Sequence, residues 1–368
     1  MKKERIDQNI LVRINLICQG LKFSVSEIRI LNWLKNFEES EYEMALKILE
    51  KLKYYTTSEI IFEFNENLKR LLHYIPNGKR IFVTGLGEFG KSGSSLIYYF
   101  KKTPAYKRDE TKFKILKHLR KLKSQGLRDG DYLVLLDDII GTGESLNKFY
   151  RHEIHQQLVK DDLKPEIIVL SVAYMQHSIV LLEEKIPRFS IYGTPYIKAF
   201  ASGSSVFGYR PKMLPLREFA HNYGKDLFET YNRETKKIEK HPLGYNNSQS
   251  LIVFPHSVPN NTLPIFWSNK NKWYPLFPRS AEAKLSRLKD FRQENIHWFN
   301  TAKSLNIFEN KEELDFNHKL LFNNVDYRIL AVIRLKRRRS IDPIICQILN
   351  ISINELNEIY IEGQKRLN

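Results

Sequence analysis

The chain has 368 residues, of which 42% are hydrophobic and 12% aromatic, so it has room for two or three domains and is not a disordered chain. Its 16 glycines and 14 prolines exclude collagen-like and low-complexity classes, and two widely separated cysteines, Cys18 and Cys346, predict neither a disulfide framework nor a metal site. The net charge of +17 favours phosphate-rich partners, and the lack of a long apolar run or a readable signal peptide predicts a cytoplasmic protein with no membrane partner.

Helices are predicted for the first part of the chain, residues 1–75. Apolar residues recur close to helical spacing from Ile28 to Phe37 and again from Ala45 to Leu52. The stretch contains no residues in a catalytic or metal-binding pattern. We therefore expect a helical N-terminal domain there.

Residues 76–255 alternate strands with helices. The predicted strands are residues 80–84, 131–136, 166–175, 188–192 and 251–254. Alternation of this kind is typical of a parallel sheet with helices on both faces. The predicted fold class is therefore α/β, flanked in the sequence by helical N- and C-terminal domains.

The last part of the chain is predicted in two pieces. Residues 256–285 are rich in proline and tryptophan and predict a packed loop, and residues 286–368 predict a helical C-terminal domain with a helix-turn-helix pattern. The final helix carries Glu355, Glu358 and Glu362, which the phosphates of DNA would repel. We therefore favour a structural or protein-binding role for these helices over DNA binding.

The strongest functional motif is VLLDDIIGTGESL, residues 134–146. A predicted strand ends in two carboxylates, Asp137 and Asp138, followed by an exposed turn with two glycines and a helix start. Backbone N–H groups of such a turn bind phosphate, and the carboxylates can accept hydrogen bonds from sugar hydroxyls. The predicted phosphate-binding residues, called the phosphate loop from here on, are Ile140, Gly141, Thr142, Gly143, Glu144 and Ser145.

A second glycine-rich stretch, GLGEFGKS at residues 85–92, fits the Walker A pattern between a predicted strand and a predicted helix. We call it the glycine loop, and its candidate phosphate-contacting residues are Gly85, Gly87, Gly90, Lys91 and Ser92. With residues 133–138 as a Walker B strand, these features would make a P-loop NTPase. That alternative leaves the phosphate loop, directly after the Walker B strand, unexplained.

The two loops together resemble those of type I phosphoribosyltransferases. The resemblance implies that Asp137 and Asp138 hold the ribose of phosphoribosyl pyrophosphate or a nucleotide and are the candidate catalytic residues. It implies that the phosphate loop binds the 5′-phosphate, that the glycine loop contacts pyrophosphate, and that Mg²⁺ is held mainly through the ligand's phosphates. Residues 101–130, with 11 basic and three acidic residues, lie where such enzymes carry a flexible segment that closes over the site.

Two further segments, HPLGY at residues 241–245 and PNNTLPIFW at residues 259–267, extend the resemblance to a divergent phosphoribosyltransferase-like family of bacterial conflict systems. Some members accompany retron reverse transcriptases in anti-phage defence. The resemblance implies an effector that acts at ribose C1, by transfer or by cleavage of an N-glycosidic bond. Its implied partners are a reverse transcriptase–nucleic acid complex and further copies of the chain.

In this interpretation Asn260, Asn261 and Thr262 border the pocket. Two alternatives stay open at the level of the sequence. One is a catalytically inactive module that senses a nucleotide and changes assembly, and the other is the P-loop NTPase.

Overall fold

The computed structural model describes residues 5–6, 8–86, 92–116, 118–232, 235–279, 301, 304–305, 320–321, 324–349 and 351–367. The chain forms two compact units: Lys51–Asn271 is the larger, and Met1–Glu50 with Lys272–Asn368 is the smaller. This division differs from the predicted boundaries after residues 75, 255 and 285. None of the described helices is both long enough and apolar enough to cross a membrane.

The helices are α1 (Gln8–Gly20), α2 (Glu27–Leu34), α3 (Tyr42–Leu49), α4 (Thr57–Tyr74), α5 (Ser92–Lys101), α6 (Pro104–Arg108), α7 (Glu144–Phe149), α8 (Gln156–Asp161), α9 (Ser178–Lys185) and α10 (Arg210–Gly224), then Asn324–Arg337, Asp342–Leu349 and Ile353–Leu367. The strands are β1 (Arg5–Ile6), β2 (Lys53–Tyr54), β3 (Ile81–Gly85), β4 (Phe113–Ile115), β5 (Tyr132–Ile140), β6 (Glu166–Met175), β7 (Phe189–Tyr196), β8 (Glu229–Asn232), β9 (Lys237–Lys240), β10 (Ile252–Val253) and β11 (Leu320–Leu321). A π-helical turn, Tyr150–His155, joins α7 to α8.

The larger unit is built on a parallel sheet of five strands in the order β4-β3-β5-β6-β7. The central strand is β5, in which Leu133 pairs with Phe82 of β3 on one side and with Ile167 of β6 on the other. Because every pair in this sheet is parallel, the carboxyl ends of the strands meet at one edge. The predicted α/β fold with a parallel sheet is confirmed.

Helices cover both faces of this sheet. The buried residues of α4 and α5 on one face are Ile60, Phe64, Leu68, Leu71, Leu96 and Phe100. The buried residues of α7, the π-helical turn, α8 and α9 on the other face are Leu146, Tyr150, Ile154, Leu158 and Leu182. Strand β5 contributes Val134 and Leu136 to the first cluster and Leu133 and Leu135 to the second. Burial of both faces explains why this strand is a continuous apolar run in the sequence.

Helix α4 belongs to the larger unit, although its sequence suggested the N-terminal helical domain. It begins with a capping box, in which the Thr56 hydroxyl accepts from Glu59 N at 3.2 Å and the Glu59 carboxylate accepts from Thr56 N at 2.8 Å. Its apolar stripe then packs on β6 and β7. The helical spacing predicted the element correctly, but spacing alone does not identify the surface that buries it.

Three local predictions in the larger unit differ from the structure. Strand β5 continues through Asp137 and Asp138 to Ile140 instead of ending before them. Within residues 101–130, β4 pairs with β3 and Leu116, Leu122 and Leu127 are buried, so much of the predicted closing segment is built into the core. The segment 251–254 contributes β10, which pairs with β2 outside the main sheet.

The smaller unit joins α1–α3 to later parts of the chain. Arg29 of α2 donates to the main-chain oxygens of Pro275 and Leu276 at 2.9 and 2.7 Å, and Asn36 exchanges hydrogen bonds with the main chain of Tyr274. The predicted packed loop, residues 256–285, is therefore divided between the two units. In the predicted helix-turn-helix region, the three C-terminal helices pack on one another.

Candidate functional site

A cleft opens at the carboxyl end of β5, within the larger unit. It holds about 310 Å³ of space, part of which is open to solvent, and in open parallel sheets ligands bind at this edge. Its lining residues are Asp137, Ile139, Ile140, Gly141, Thr142, Gly143, Ser145, Leu146, Tyr245, Asn260 and Asn261. The structure thus brings Asp137 together with every residue of the phosphate loop except Glu144.

The two carboxylates of the motif have different surroundings. Asp137 lines the cleft, and its Oδ1 accepts from the main-chain N of Asp138 at 2.9 Å. Asp138 is buried, and its Oδ2 lies 2.9 Å from both His256 Nε2 and Ser257 Oγ, while its Oδ1 accepts from Ile139 N at 2.8 Å. The pair therefore lies within strand β5, and Asp138 is buried there.

The environment of Asp137 changes its acidity. Burial, and then the nearby charge of Asp138, raise the pKa of Asp137 well above its ordinary value of 3.8. A carboxyl group in such a position can hold a proton at a pH where an exposed aspartate cannot. Raised carboxyl pKa values in clefts are typical of acid–base sites.

The phosphate loop makes a tight turn between β5 and α7. Gly143 has φ of +83° and is the N-cap of α7, a conformation that glycine adopts without strain. The hydroxyl of Thr142 accepts from Glu144 N at 3.4 Å. A Cβ added to Gly141 would lie 2.1 Å from Cγ of Asn261, so only glycine allows the asparagine to lie directly against this turn.

Glu144 is turned toward a distant part of the chain. Its carboxylate accepts from the Tyr245 hydroxyl at 3.0 Å and from the side-chain amide of Asn246. Burial and the charge of Glu144 raise the pKa of Tyr245 to about 12, so this hydroxyl remains a donor. A carboxylate beside a phosphate site would repel the phosphate, and here the two donors pair the Glu144 carboxylate with a distant part of the chain instead.

One segment, residues 241–262, supplies all these outside contacts, and we call it the cover segment. It brings His256 and Ser257 to Asp138, Tyr245 to Glu144 and Asn261 to Gly141. The sequence had singled out Asn260, Asn261 and Thr262. The first two line the cleft, whereas the Thr262 hydroxyl donates to the main-chain oxygen of Ile252. His256 and Ser257 were missed, although polar residues that directly follow a buried strand were an available signal.

The glycine loop begins beside the motif strand. Gly85, at the end of β3, pairs with Leu136, and Leu86 N donates to Leu136 O at 2.9 Å. Ser92 begins α5. Gly87, Gly90 and Lys91 lie outside the described residues. The loop therefore starts one strand away from Asp137, at the same edge of the sheet.

The donor set at the cleft suits a hard cation shared with a ligand. Among the described residues, no three His, Cys, Asp or Glu side chains gather into a group that could hold a metal ion. Mg²⁺, however, binds through one or two carboxylates together with substrate phosphates and water. The Asp137 carboxylate in the cleft lining meets that requirement.

Comparisons with known proteins point to one family. A family model described as PRTase-CE matches residues 30–279. Comparison with curated proteins finds no match.

Several solved structures are similar to this chain over a smaller part of it. They include hypoxanthine-guanine phosphoribosyltransferase from Schistosoma mansoni in complex with IMP, with 14% identity, a TM-score of 0.24, and coverage of 38% of this chain and 64% of that one. The hypoxanthine phosphoribosyltransferase of Trypanosoma cruzi has 13% identity, a TM-score of 0.25, and coverage of 40% and 83%. Adenine phosphoribosyltransferase from Thermoanaerobacter pseudethanolicus has 12% identity, a TM-score of 0.23, and coverage of 38% and 83%. Because these scores are low, the family model carries the assignment.

Proposed function

Because the chain belongs to the PRTase-CE family, we propose that it binds phosphoribosyl pyrophosphate or a nucleotide in the cleft and acts at the ribose C1 atom. The observation that carries the proposal is the meeting of Asp137 and the phosphate loop in one cleft. A phosphorylated sugar requires both kinds of group, since phosphate needs N–H and hydroxyl donors and sugar hydroxyls need acceptors. The family match spans both loops and favours this interpretation over the P-loop NTPase.

Each group in the cleft has a part in this proposal. The 5′-phosphate binds the main-chain N–H groups of the phosphate loop and the hydroxyls of Thr142 and Ser145. Asp137 accepts hydrogen bonds from the ribose hydroxyls, and its raised pKa suits it to act as a general base. Asp138 stands behind it as a positioning residue, held by His256 and Ser257.

Mg²⁺ fits this arrangement as a group shared between protein and ligand. Asp137 would hold it on the protein side, and the ligand's phosphates would supply the other anionic oxygens. When bound, the ion would neutralise charge on a departing pyrophosphate. The protein's own contribution is to orient the ribose and to exclude water from one side of it.

Turnover assays test the proposal directly. The full chain is incubated with Mg²⁺ and either phosphoribosyl pyrophosphate or nucleotides, and free base, ribose 5-phosphate, pyrophosphate and γ-phosphate are all quantified. We expect products of cleavage or transfer at C1, lost in Asp137→Asn and retained in Asp226→Asn, a matched change at an exposed aspartate outside the cleft. Release of inorganic phosphate from ATP as the sole reaction would overturn the proposal.

A second candidate function is a nucleotide-binding module without turnover. The observation that favours it is that both oxygens of Asp138 already accept hydrogen bonds from the chain itself. Only Asp137 of the pair is then open to a sugar. Saturable nucleotide binding with no product in any of the assays above would favour this module, and a ligand-dependent change in molecular mass would identify it as an assembly switch.

For the biological role we propose anti-phage defence, with activity restrained by a reverse transcriptase–nucleic acid partner. The support is the resemblance of the motif set to conflict-system relatives and the basic surplus of residues 101–130. The chain is expressed alone and with the products of its neighbouring genes, and growth and phage protection are recorded. We expect toxicity that the partner relieves. Equal growth in both cultures, with no protection from infection, contradicts the role.

A further inference from the structure

Asn261 presents its side-chain amide to the cleft. It is 9% exposed and lines the cleft, and among the described residues its side-chain amide has no hydrogen-bond partner. Neither amide atom is among the fully buried polar atoms without a partner, so the amide is open to the cleft and available to a ligand bound there. A ligand in the cleft can therefore pair with this amide without displacing a hydrogen bond of the chain.

The main chain around Asn261 is firmly held. Its carbonyl oxygen accepts from Ser250 N at 3.0 Å and from Ser248 Oγ at 2.9 Å. The next residue is fixed by Trp267, whose indole N–H donates to Thr262 O at 2.8 Å. A side chain on so constrained a backbone is pre-organised, and this is the property required of a binding residue.

The Asn261 side chain also lies directly over the phosphate loop. The Cγ, Nδ2 and Oδ1 atoms are all within 2.2 Å of the position a Cβ would take on Gly141. A phosphate bound by the turn would lie within reach of this amide, which can donate two hydrogen bonds through Nδ2. The alternative partner, the Glu144 carboxylate, is already engaged by Tyr245 and Asn246.

We propose that Asn261 completes the phosphate site, its Nδ2 donating to a phosphate oxygen of a sugar phosphate bound in the cleft. The inference rests on the proposed function, since it assigns a further binding residue to the same site. Residues of the cover segment would then bind the ligand directly, in addition to packing against the phosphate loop. Such binding also restricts the ligand: the group that binds beside Gly141 must accept a hydrogen bond from Asn261, as a phosphate oxygen does.

Titration calorimetry with ribose 5-phosphate and with phosphoribosyl pyrophosphate tests this. We expect Asn261→Ala to lower the affinity for ribose 5-phosphate by about tenfold or more, the usual effect of losing a hydrogen bond to a charged group. Asn261→Asp should weaken it further, because the carboxylate keeps the shape but repels phosphate. Asn222→Asp, which adds the same charge on the exposed surface of α10, should bind as the wild-type chain does.

The order of the two variants separates binding from structure. A purely structural asparagine tolerates the isosteric aspartate better than alanine, whereas a phosphate donor tolerates it less. Asn261→Ala only removes atoms, so a folded alanine variant with unchanged affinity overturns the inference even if the aspartate variant does not fold. Failure of the wild-type chain to bind either sugar phosphate overturns the proposed function and this inference together.

Discussion

At the scale of single residues, the acid pair shows how one strand gives neighbouring carboxylates separate tasks. Asp137 is half-buried at the cleft beside a charged neighbour, whereas Asp138 is held by donors from the cover segment. Consecutive side chains of a strand point to opposite sides, so the two carboxylates meet different environments. Two adjacent aspartates look equivalent in the sequence, but in the strand one faces the cleft and the other supports it from behind.

The raised pKa of Asp137 makes a prediction about stability and pH. Below its ordinary pKa of 3.8 the carboxyl is protonated in both the folded and the unfolded chain and has no effect. As the pH rises, the unfolded chain releases the proton first, so the wild-type fold loses stability until the raised pKa is passed. Asp137→Asn removes this loss and keeps the acceptor for Asp138 N. We expect thermal unfolding to show a higher melting temperature than wild type at pH 7 and little difference near pH 4.

Asp138→Asn is the control, since it removes the same charge but weakens the contacts to His256 and Ser257. It should lower the melting temperature at pH 7, by an amount corresponding to about 1–3 kcal/mol. If Asp137→Asn were also destabilising at pH 7, the assignment of the raised pKa would be wrong.

The two loops can be distinguished through Lys91 and Thr142. In a Walker A loop the lysine is required for any nucleotide, whereas in the proposed site it helps only with pyrophosphate. We expect Lys91→Ala to lower the affinity for phosphoribosyl pyrophosphate and to leave the affinity for a nucleoside 5′-monophosphate nearly unchanged. Thr142→Val should weaken both by about tenfold, because it removes a donor to the 5′-phosphate. Calorimetry with both ligands decides, and a Lys91→Ala chain that no longer binds the monophosphate would favour the P-loop interpretation.

At the scale of elements, local sequence patterns predicted the sheet and the phosphate loop. They did not predict the contacts between residues far apart in the sequence. The alternation of apolar strands with helices was sufficient for β3, β5 and β6. It missed the extension of β5 through two aspartates, which have low strand propensity but here continue the pairing, Asp137 opposite Ser171. The contact of His256 with Asp138 spans 118 residues of sequence, and no local pattern identifies such a pair.

The contact between the phosphate loop and the cover segment is tested at Gly141. Gly141→Ala places a Cβ where the Asn261 side chain now lies, so the segment must move. We expect a loss of about 1–3 kcal/mol in the free energy of unfolding, as for other overpacked sites, and at least tenfold weaker binding of sugar phosphates. Denaturant unfolding and calorimetry measure the two effects. Gly20→Ala, where a Cβ meets nothing within 4 Å, is the control and should neither destabilise the chain nor weaken binding.

At the scale of the whole molecule, the chain crosses between its two units at two places, after Glu50 and after Asn271. All cleft residues fall in the larger unit, and α4 belongs to it as well. The predicted boundary after residue 75 would cut α4 away. That helix buries Ile60, Phe64, Leu68 and Leu71 against the sheet, each worth about 1.5–3 kcal/mol.

A chain limited to residues 51–271 should therefore fold cooperatively and bind sugar phosphate as the full chain does. A chain limited to residues 76–255 should not fold, because it lacks residues 256–271 of the same unit and also α4, whose loss alone is comparable to the typical total stability of a domain, about 5–15 kcal/mol. Circular dichroism during thermal unfolding, together with calorimetry, checks both. Two equally stable chains would show that α4 is dispensable and that the predicted boundary is the better one.

The two edge strands of the sheet affect how readily copies of the chain aggregate. Strand β4 is three residues long and carries the exposed Lys114, and strand β7 carries the exposed Pro195, which has no N–H to offer. Short strands, lysine and proline at a sheet edge all hinder another chain from adding a strand there. At high concentration, or while newly made copies accumulate, these edges thus hinder the sheet from growing into an aggregate by strand addition.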